Sequence, residues 1–164
     1  MLEITPAHIA PKEASYIQEY GSGLISNGYK IVPIKRGTKA PQGITGWTKI
    51  DADQNQLERW ISKGYEGVGV LCRNNPAVDI DVLDEKVSRQ MVDAVLQQYP
   101  GGLVRVGKAP KTLLTYRTDK PFKKVRSSTY KDKDDNCHAV EILANGQQYV
   151  AYAEHPDTFQ LMRP

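Results

Sequence analysis

The chain has 164 residues, of which 40% are hydrophobic and 25% charged, a composition typical of one soluble globular domain. It contains no apolar run near the roughly 20 residues that span a bilayer, no secretory signal pattern at the N-terminus, and no disulfide or zinc spacing between Cys72 and Cys137. These features argue against a membrane, secreted or zinc-ribbon protein, and we expect a cytoplasmic one.

The first half of the chain predicts helices that alternate with short strands. Apolar spacing favours a helix over residues 13–27, followed by a strand over residues 29–34. After a loop rich in glycine and proline, Asp53 and Gln56 form a capping box for a second helix. Asp84 is placed to cap a third helix.

Strands dominate the remaining pattern. Residues 68–71 and 77–83 are predicted to be two strands joined as a hairpin. Asn145-Gly146, between residues 139–143 and 147–152, is the strongest short-range signal for a second hairpin.

The predicted elements place the chain in the α/β (α+β) class. Further strands are predicted at residues 104–106 and 112–117. We expect one domain over residues 1–164, with an N-terminal α/β part to about residue 65 and a β-rich catalytic part over residues 66–158.

Two carboxylates share one face of the strand Ala-Val-Asp-Ile-Asp-Val-Leu at residues 77–83. Because side chains alternate along a strand, Val78 and Ile80 project to one face, and Asp79 and Asp81 to the other, roughly 6–7 Å apart. Like charges at this spacing repel each other unless a positive group lies between them.

A third carboxylate, Glu141, repeats this pattern in the strand at residues 138–143. If the two strands are neighbours, Asp79, Asp81 and Glu141 converge, and their oxygens suit a hard cation such as Mg²⁺ or Mn²⁺. Two such ions about 3.5–4 Å apart support phosphoryl transfer. We therefore predict these three acids as metal ligands and catalytic residues, although an Asp-x-Asp pair is also common at surfaces and helix caps.

A block of positive charge lies between Lys108 and Lys133, with nine basic residues and two acidic ones. Such a block favours a polyanionic partner, either nucleic acid or a triphosphate, although a solvated lysine-rich loop has the same composition. Residues 102–108 match the start of a P-loop, but Ala109 replaces its Ser or Thr and we predict none.

The order of these motifs resembles the bifunctional primase-polymerase domain of the archaeo-eukaryotic primase superfamily, which is typical of phages and plasmids. The resemblance covers residues 15–158. Its motifs are Val-Asp-Ile-Asp at 78–81, the basic strand at 105–117, Val-Glu-Ile-Leu at 140–143, Gln-Gln-Tyr-Val-Ala-Tyr-Ala-Glu-His-Pro at 147–156, and the Lys39-Ala-Pro41 and Gly46-Trp47 segments.

The resemblance implies a template-dependent nucleotidyl transferase, a DNA primase and polymerase, in which a 3′-hydroxyl attacks the α-phosphate of a nucleotide. The implied fold is an α/β unit packed on an RRM-like catalytic lobe, with the active site between them. Asp79, Asp81 and Glu141 would hold Mg²⁺ or Mn²⁺. Lys111 stands where the family usually has a triphosphate-binding histidine, and the other implied nucleotide-binding residues are Arg105, Lys108, Arg117, Gln148 and His155.

The implied partners are a single-stranded DNA template, NTP or dNTP, and a helicase domain or protein. Two other functions remain open from the residues. A metal-dependent nuclease uses similar acids, and a non-catalytic nucleic-acid-binding module would use the basic surface alone.

Overall fold

The computed structural model describes residues 14–157 and the backbone of residues 161–162. These residues contain three α-helices and ten strands, and the strands form two antiparallel sheets. The helices are α1 (Tyr16–Ser26), α2 (Gln54–Ser62) and α3 (Glu85–Gln98). The strands are β1 (Ile31–Ile34), β2 (Gly67–Leu71), β3 (Ala77–Asp81), β4 (Leu103–Val106), β5 (Thr112–Thr115), β6 (Val125–Arg126), β7 (Tyr130–Lys131), β8 (Cys137–Leu143), β9 (Gln148–Glu154) and β10 (Leu161–Met162). The α+β class is confirmed.

Two helices begin at the caps that the sequence predicts. The Asp53 carboxylate accepts a hydrogen bond from the Gln56 backbone N–H at 2.8 Å, and Asp84 accepts one from the Val87 N–H at 2.9 Å. Each cap satisfies a backbone donor that has no partner within the helix and stabilises the helix by about 1 kcal/mol. None of the helices in residues 14–157 is long and apolar enough to cross a membrane.

The four-stranded sheet has the order β1-β2-β9-β10. Its strands β1 and β2 are buried at every position, because α1 and α2 cover one face and Trp47 packs against the other. The same core includes Leu113 and Leu143 of the second sheet, so the two sheets are packed against each other. Trp60 of α2, also in this core, is one of the largest fully buried side chains.

The six-stranded sheet has the order β4-β5-β3-β8-β6, and β7 also pairs with β8. Ile80, Val82 and Leu114 form an apolar cluster under Met91 and Val95 of α3. This cluster shows that α3 covers the face opposite to Asp79 and Asp81. The order β4-β5-β3-β8, with α3 directly after β3, is that of the expected RRM-like lobe.

Neither predicted hairpin forms. β2 and β3 lie in different sheets, and so do β8 and β9. The turn at Gly146 is present, with a φ of +87° and a hydrogen bond from the Gln147 N–H to the Ala144 carbonyl at 3.1 Å. The turn signal was therefore correct, and the inferred strand pairing was wrong.

The connection from β2 to β3 and the connection from β8 to β9 each lead from one sheet to the other, and the two connections lie next to each other. β2 pairs with β9, β3 pairs with β8, and the Cys72 N–H donates to the Gln147 carbonyl at 2.8 Å at the crossing. The four strands thus form one long antiparallel ribbon that is interrupted at residues 72–76, where Pro76 has no N–H to donate.

This ribbon also joins the two expected parts of the domain. The four-stranded sheet takes β1 from the first 65 residues and β2 and β9 from later in the chain. The boundary near residue 65 stays a prediction about chain segments, and it does not separate the two sheets.

Candidate active site

Charged side chains form one row across the six-stranded sheet. The registers place Arg105 opposite Leu113, Leu113 opposite Asp79, Asp79 opposite Glu141, and Glu141 opposite Arg126. Directly opposed residues of antiparallel strands project to the same face, with Cβ atoms about 4.5–5.5 Å apart. Two carboxylates therefore lie side by side, with an arginine further along the row on each side. We call this set the charged row; it consists of four charged residues and one leucine, in the order Arg105, Leu113, Asp79, Glu141 and Arg126.

Asp81 extends the acidic part of the charged row. It lies two residues after Asp79 at the end of β3, so it projects to the same face. The condition for the three acids to converge is met, because the Asp-x-Asp strand β3 and the Glu141 strand β8 pair over five residues. All three acids lie on the face that α3 leaves uncovered.

A cavity of about 230 Å³ opens beside Asp79 and Asp81, between the two sheets, and Glu141 lies outside its lining. The six-stranded sheet contributes Asp79, Asp81 and Arg105 to its lining. The other side is contributed by Gln148 of β9 and by His155, directly after it. The cavity thus lies between the two halves of the fold.

Asp79 carries a charge that its surroundings disfavour. Burial raises its pKa, and the neighbouring carboxylates Asp81 and Glu141 raise it further, whereas Arg105 and Lys111 act in the opposite direction. The direction of the shift shows that the two cations do not fully offset burial and repulsion. Additional positive charge at this position would stabilise the ionised carboxylate.

The other two acids are held in ion pairs. Lys111 Nζ lies 2.5 Å from Asp81 Oδ1. Lys124 Nζ and Arg126 Nε each lie 2.7 Å from an oxygen of Glu141. Lysine and arginine therefore neutralise both carboxylates in this arrangement.

The three acids fit a divalent cation by their chemistry. They supply hard oxygen donors and a local excess of negative charge at Asp79. Within residues 14–157, however, no three Asp, Glu, His or Cys side chains are arranged to enclose a metal ion. Binding of a metal by all three acids requires the ion pairs of Asp81 and Glu141 to open.

The cationic side of the cavity contains a close pair of nitrogens. Lys39 Nζ lies 2.7 Å from Nε2 of His155, whose side chain is only 2% exposed. Burial lowers the pKa of both groups, and the charge of Lys39 lowers the pKa of His155 further. A phosphate group beside them would favour their protonated forms.

The polar contacts of Gln148 fix the loop that carries Lys39. Gln148 Nε2 donates to the Lys39 carbonyl at 2.7 Å. Gly69 of β2 leaves room for this side chain, because a Cβ there would lie 2.5 Å from Gln148 Oε1. The glycine thus leaves space for the side chain that contacts the Lys39 loop.

Arg105 also has unused hydrogen-bonding capacity. Burial lowers its pKa, while Asp79 acts to raise it. Its Nε is buried and has no hydrogen-bond partner among the described residues. A buried charged donor without a partner is costly, and an anion in the cavity would satisfy it.

Five of the six predicted nucleotide-binding residues line this cavity: Arg105, Lys108, Lys111, Gln148 and His155. Arg117 lies elsewhere. Lys111 directly precedes the first residue of β5, whereas Arg117 follows its last residue, at the opposite end of the strand. Its guanidinium stacks 4.4 Å from the centre of the Tyr29 ring and donates to the Asn27 carbonyl at 3.0 Å. Arg117 therefore does not belong to the group of cations that line the cavity, contrary to the expectation that placed it there.

Three further residues of the site were not predicted as functional. Lys39 lies in the Lys-x-Pro segment that was noted for its resemblance, and that segment was the available signal. Lys124 and Arg126 were counted only within the basic block. Their two-residue spacing, typical of one strand face, was the signal that could have separated them from the other basic residues.

The family profile described as bifunctional DNA primase/polymerase, N-terminal, matches residues 23–159. The match contains the three acids, all the cavity cations, and both Lys124 and Arg126. No curated protein matches the chain. Because the family profile spans most of the sequence and both sheets, the chain belongs to the bifunctional DNA primase/polymerase family.

Proposed function

We propose that this chain is a template-dependent nucleotidyl transferase that joins nucleotides in DNA replication, with Asp79, Asp81 and Glu141 as the ligands of two Mg²⁺ or Mn²⁺ ions. The family is one of primase and polymerase enzymes that generally depend on divalent metals. The observation that carries the proposal is the charged row, in which Asp79 pairs with Glu141 on the neighbouring strand and borders a cationic cavity.

When bound, the metals would activate the attacking 3′-hydroxyl and stabilise the leaving pyrophosphate. The residues of the chain bind and orient the nucleotide. Lys39, Arg105 and His155 surround the cavity with groups that donate hydrogen bonds to phosphate oxygens. The buried Arg105 Nε gains the partner that it lacks in the protein alone.

Lys111 connects nucleotide binding to the acids. Its ammonium pairs with Asp81 in this structure, and a phosphate in the cavity would compete for the same ammonium. When Lys111 binds phosphate, the Asp81 carboxylate becomes free to accept a metal. Nucleotide and metal should therefore favour each other's binding.

The size of the cavity indicates which part of a nucleotide it encloses. Sites that enclose a whole small molecule measure roughly 300–1,000 Å³. The present cavity of about 230 Å³ is smaller and strongly charged. We infer that it encloses the triphosphate, and that the sugar and base remain on the open side, where a template base can pair with them.

The remaining partners follow from the same proposal. A single-stranded DNA template and NTP or dNTP are the substrates of such a reaction, and the basic segment between Lys108 and Lys133 supports a nucleic-acid partner. A helicase domain or protein would supply the single strand.

Incorporation of labelled NTP and dNTP on a single-stranded template tests the proposal, with and without a primer, in Mg²⁺ and in Mn²⁺. We expect template-directed product that disappears in the Asp79→Asn, Asp81→Asn double variant. The matched control is Lys86→Ala, Arg89→Ala on α3, whose exposed side chains lie behind the sheet. A shortened template would instead indicate a nuclease, and the absence of both product and metal-dependent nucleotide binding would indicate a binding module.

A further inference from the structure

The two ends of the charged row differ in their surroundings. On the β4 and β5 side, the row borders the cavity, which Lys39 and His155 from the other half of the fold also line. On the β6 side, the cations Lys124 and Arg126 contact Glu141 and are otherwise open to solvent. The row therefore faces the cavity and the other half of the fold at one end, and solvent-exposed cations at the other.

The exposure of these side chains shows which groups a ligand would meet first. The side chains of Arg126 and Lys124 are 52% and 37% exposed, whereas Glu141 beneath them is 19% exposed. Exposed ion pairs of this kind contribute little to stability. The two cations thus present positive charge to solvent directly over a catalytic acid.

Further basic residues follow Lys124 and Arg126 in the segment next to β8. β6 and β7 pair with successive stretches of β8, and the basic residues of this region are Lys120, Lys123, Lys124, Arg126, Lys131 and Lys133. The acids Asp132, Asp134 and Asp135 lie at the far end of this segment, where Asp135 pairs with Lys131 at 2.7 Å. Tyr130 of β7 is 69% exposed and Val125 of β6 is also exposed. An extended basic surface with exposed aromatic and apolar groups suits a nucleic-acid strand, whose phosphates and bases contact both.

We propose that Lys124 and Arg126 bind the backbone phosphates of the strand whose 3′ end is extended. This inference rests on the proposed function, because it assumes that a triphosphate occupies the cavity. The second polyanion must then reach the acids from the open side, where Lys124 and Arg126 stand. Phosphates of this strand would compete with Glu141 for both cations, so binding of the strand frees the Glu141 carboxylate.

The test measures strand binding without catalysis. A fluorescent primer–template with a single-stranded overhang is titrated by anisotropy in the absence of metal and nucleotide, over a series of salt concentrations. In the Lys124→Ala, Arg126→Ala variant we expect affinity to fall by about tenfold or more, with a salt dependence of log affinity that is smaller by about 2. The Lys86→Ala, Arg89→Ala variant removes the same charges from α3 and should leave both values unchanged.

A second variant gives an effect of opposite sign. Glu141→Gln removes the internal partner of both cations, so it should strengthen primer–template binding in the absence of metal, by about threefold or more. A role of these ion pairs in folding alone would not produce this gain. Affinity within about twofold of the unmodified chain in both variants, with unchanged circular dichroism, would overturn the proposal.

The failure of the strand site and that of the proposed function are distinguishable. Metal-dependent binding of a nucleotide analogue is measured on the same variants, and Lys124→Ala, Arg126→Ala should not weaken it. If the unmodified chain neither binds nucleotide with metal nor incorporates it, the proposed function fails. Loss of primer–template affinity in the double variant would still establish the strand site.

Discussion

Nε2 of His155 lies 2.7 Å from Nζ of Lys39, and the Asp157 backbone N–H donates to the other ring nitrogen, Nδ1, at 3.2 Å. A neutral imidazole carries one proton, so with Nδ1 as an acceptor the proton resides on Nε2 and points at the lysine. Burial lowers the pKa of Lys39, which favours the neutral amine that can accept this hydrogen bond.

We predict that nucleotide binding takes up protons. The pKa of His155 lies below its usual 6.5, so the ring is neutral at pH 7, and an adjacent triphosphate raises the pKa of both His155 and Lys39. Uptake of up to about one proton should appear at pH values above the lowered pKa of the free His155 ring. Calorimetric titration in two buffers of different ionisation enthalpy measures it, and His155→Gln should reduce it. A binding enthalpy that does not depend on the buffer would contradict this prediction.

Asp79→Asn should raise thermal stability while it abolishes activity. The substitution removes a buried charge that lies beside two other carboxylates, and the raised pKa of Asp79 shows that the folded chain disfavours this charge. We expect the melting temperature at pH 7.5 without metal to rise by a few degrees. Mg²⁺ or Mn²⁺ should stabilise the unmodified chain more than the variant, by mass action. A lower melting temperature of the variant without metal would refute the prediction.

Gly69→Ala should weaken nucleotide binding through Gln148. The added Cβ would lie 2.5 Å from Gln148 Oε1 and 3.1 Å from the Tyr149 carbonyl, so the glutamine must leave its contact with the Lys39 carbonyl. We expect a several-fold rise in KM and a loss of about 1–3 kcal/mol in the free energy of unfolding. Gly23→Ala is the matched control, since its Cβ would meet no atom within 4 Å in α1. Equal KM values for both variants would rule out this role of Gln148.

Arg117→Ala should affect stability and leave nucleotide affinity unchanged. Its guanidinium stacks on Tyr29 and donates to the Asn27 carbonyl, contacts that together contribute about 1–2 kcal/mol. Lys111→Ala, by contrast, removes a cavity cation and should raise the KM for nucleotide. Chemical denaturation and nucleotide titration of both variants separate the two effects. A weaker nucleotide affinity in Arg117→Ala would place that residue in the site after all.

The local features of this chain are visible in its sequence, and the pairing of distant segments is not. Asp53 and Asp84 cap their helices within three residues, and the alternation around Asp79 and Glu141 depends only on the strand period. Gly146 predicts its turn for the same reason. A turn does not determine which strands pair beyond it, and here the chain changes sheets at that point.

The candidate site shows the same limit. The contact between Lys39 and His155 joins residues 116 positions apart, and no sequence pattern links them. Arg117 and Lys111 belong to one basic strand region, but Lys111 lines the cavity, whereas Arg117 contacts Tyr29 and Asn27. Within the basic block, only the register of β6 with β8 identifies Arg126 as the residue opposite Glu141.

The central claim is that Asp79, Asp81 and Glu141 bind catalytic metal, and binding of Mn²⁺ followed by electron paramagnetic resonance tests it most directly. With a non-hydrolysable nucleotide present, we predict that the unmodified chain binds up to about two Mn²⁺ ions beyond those held by nucleotide alone. The Asp79→Asn, Asp81→Asn variant should bind none of these additional ions. Equal binding by both proteins, or no additional binding by the unmodified chain, would contradict the account.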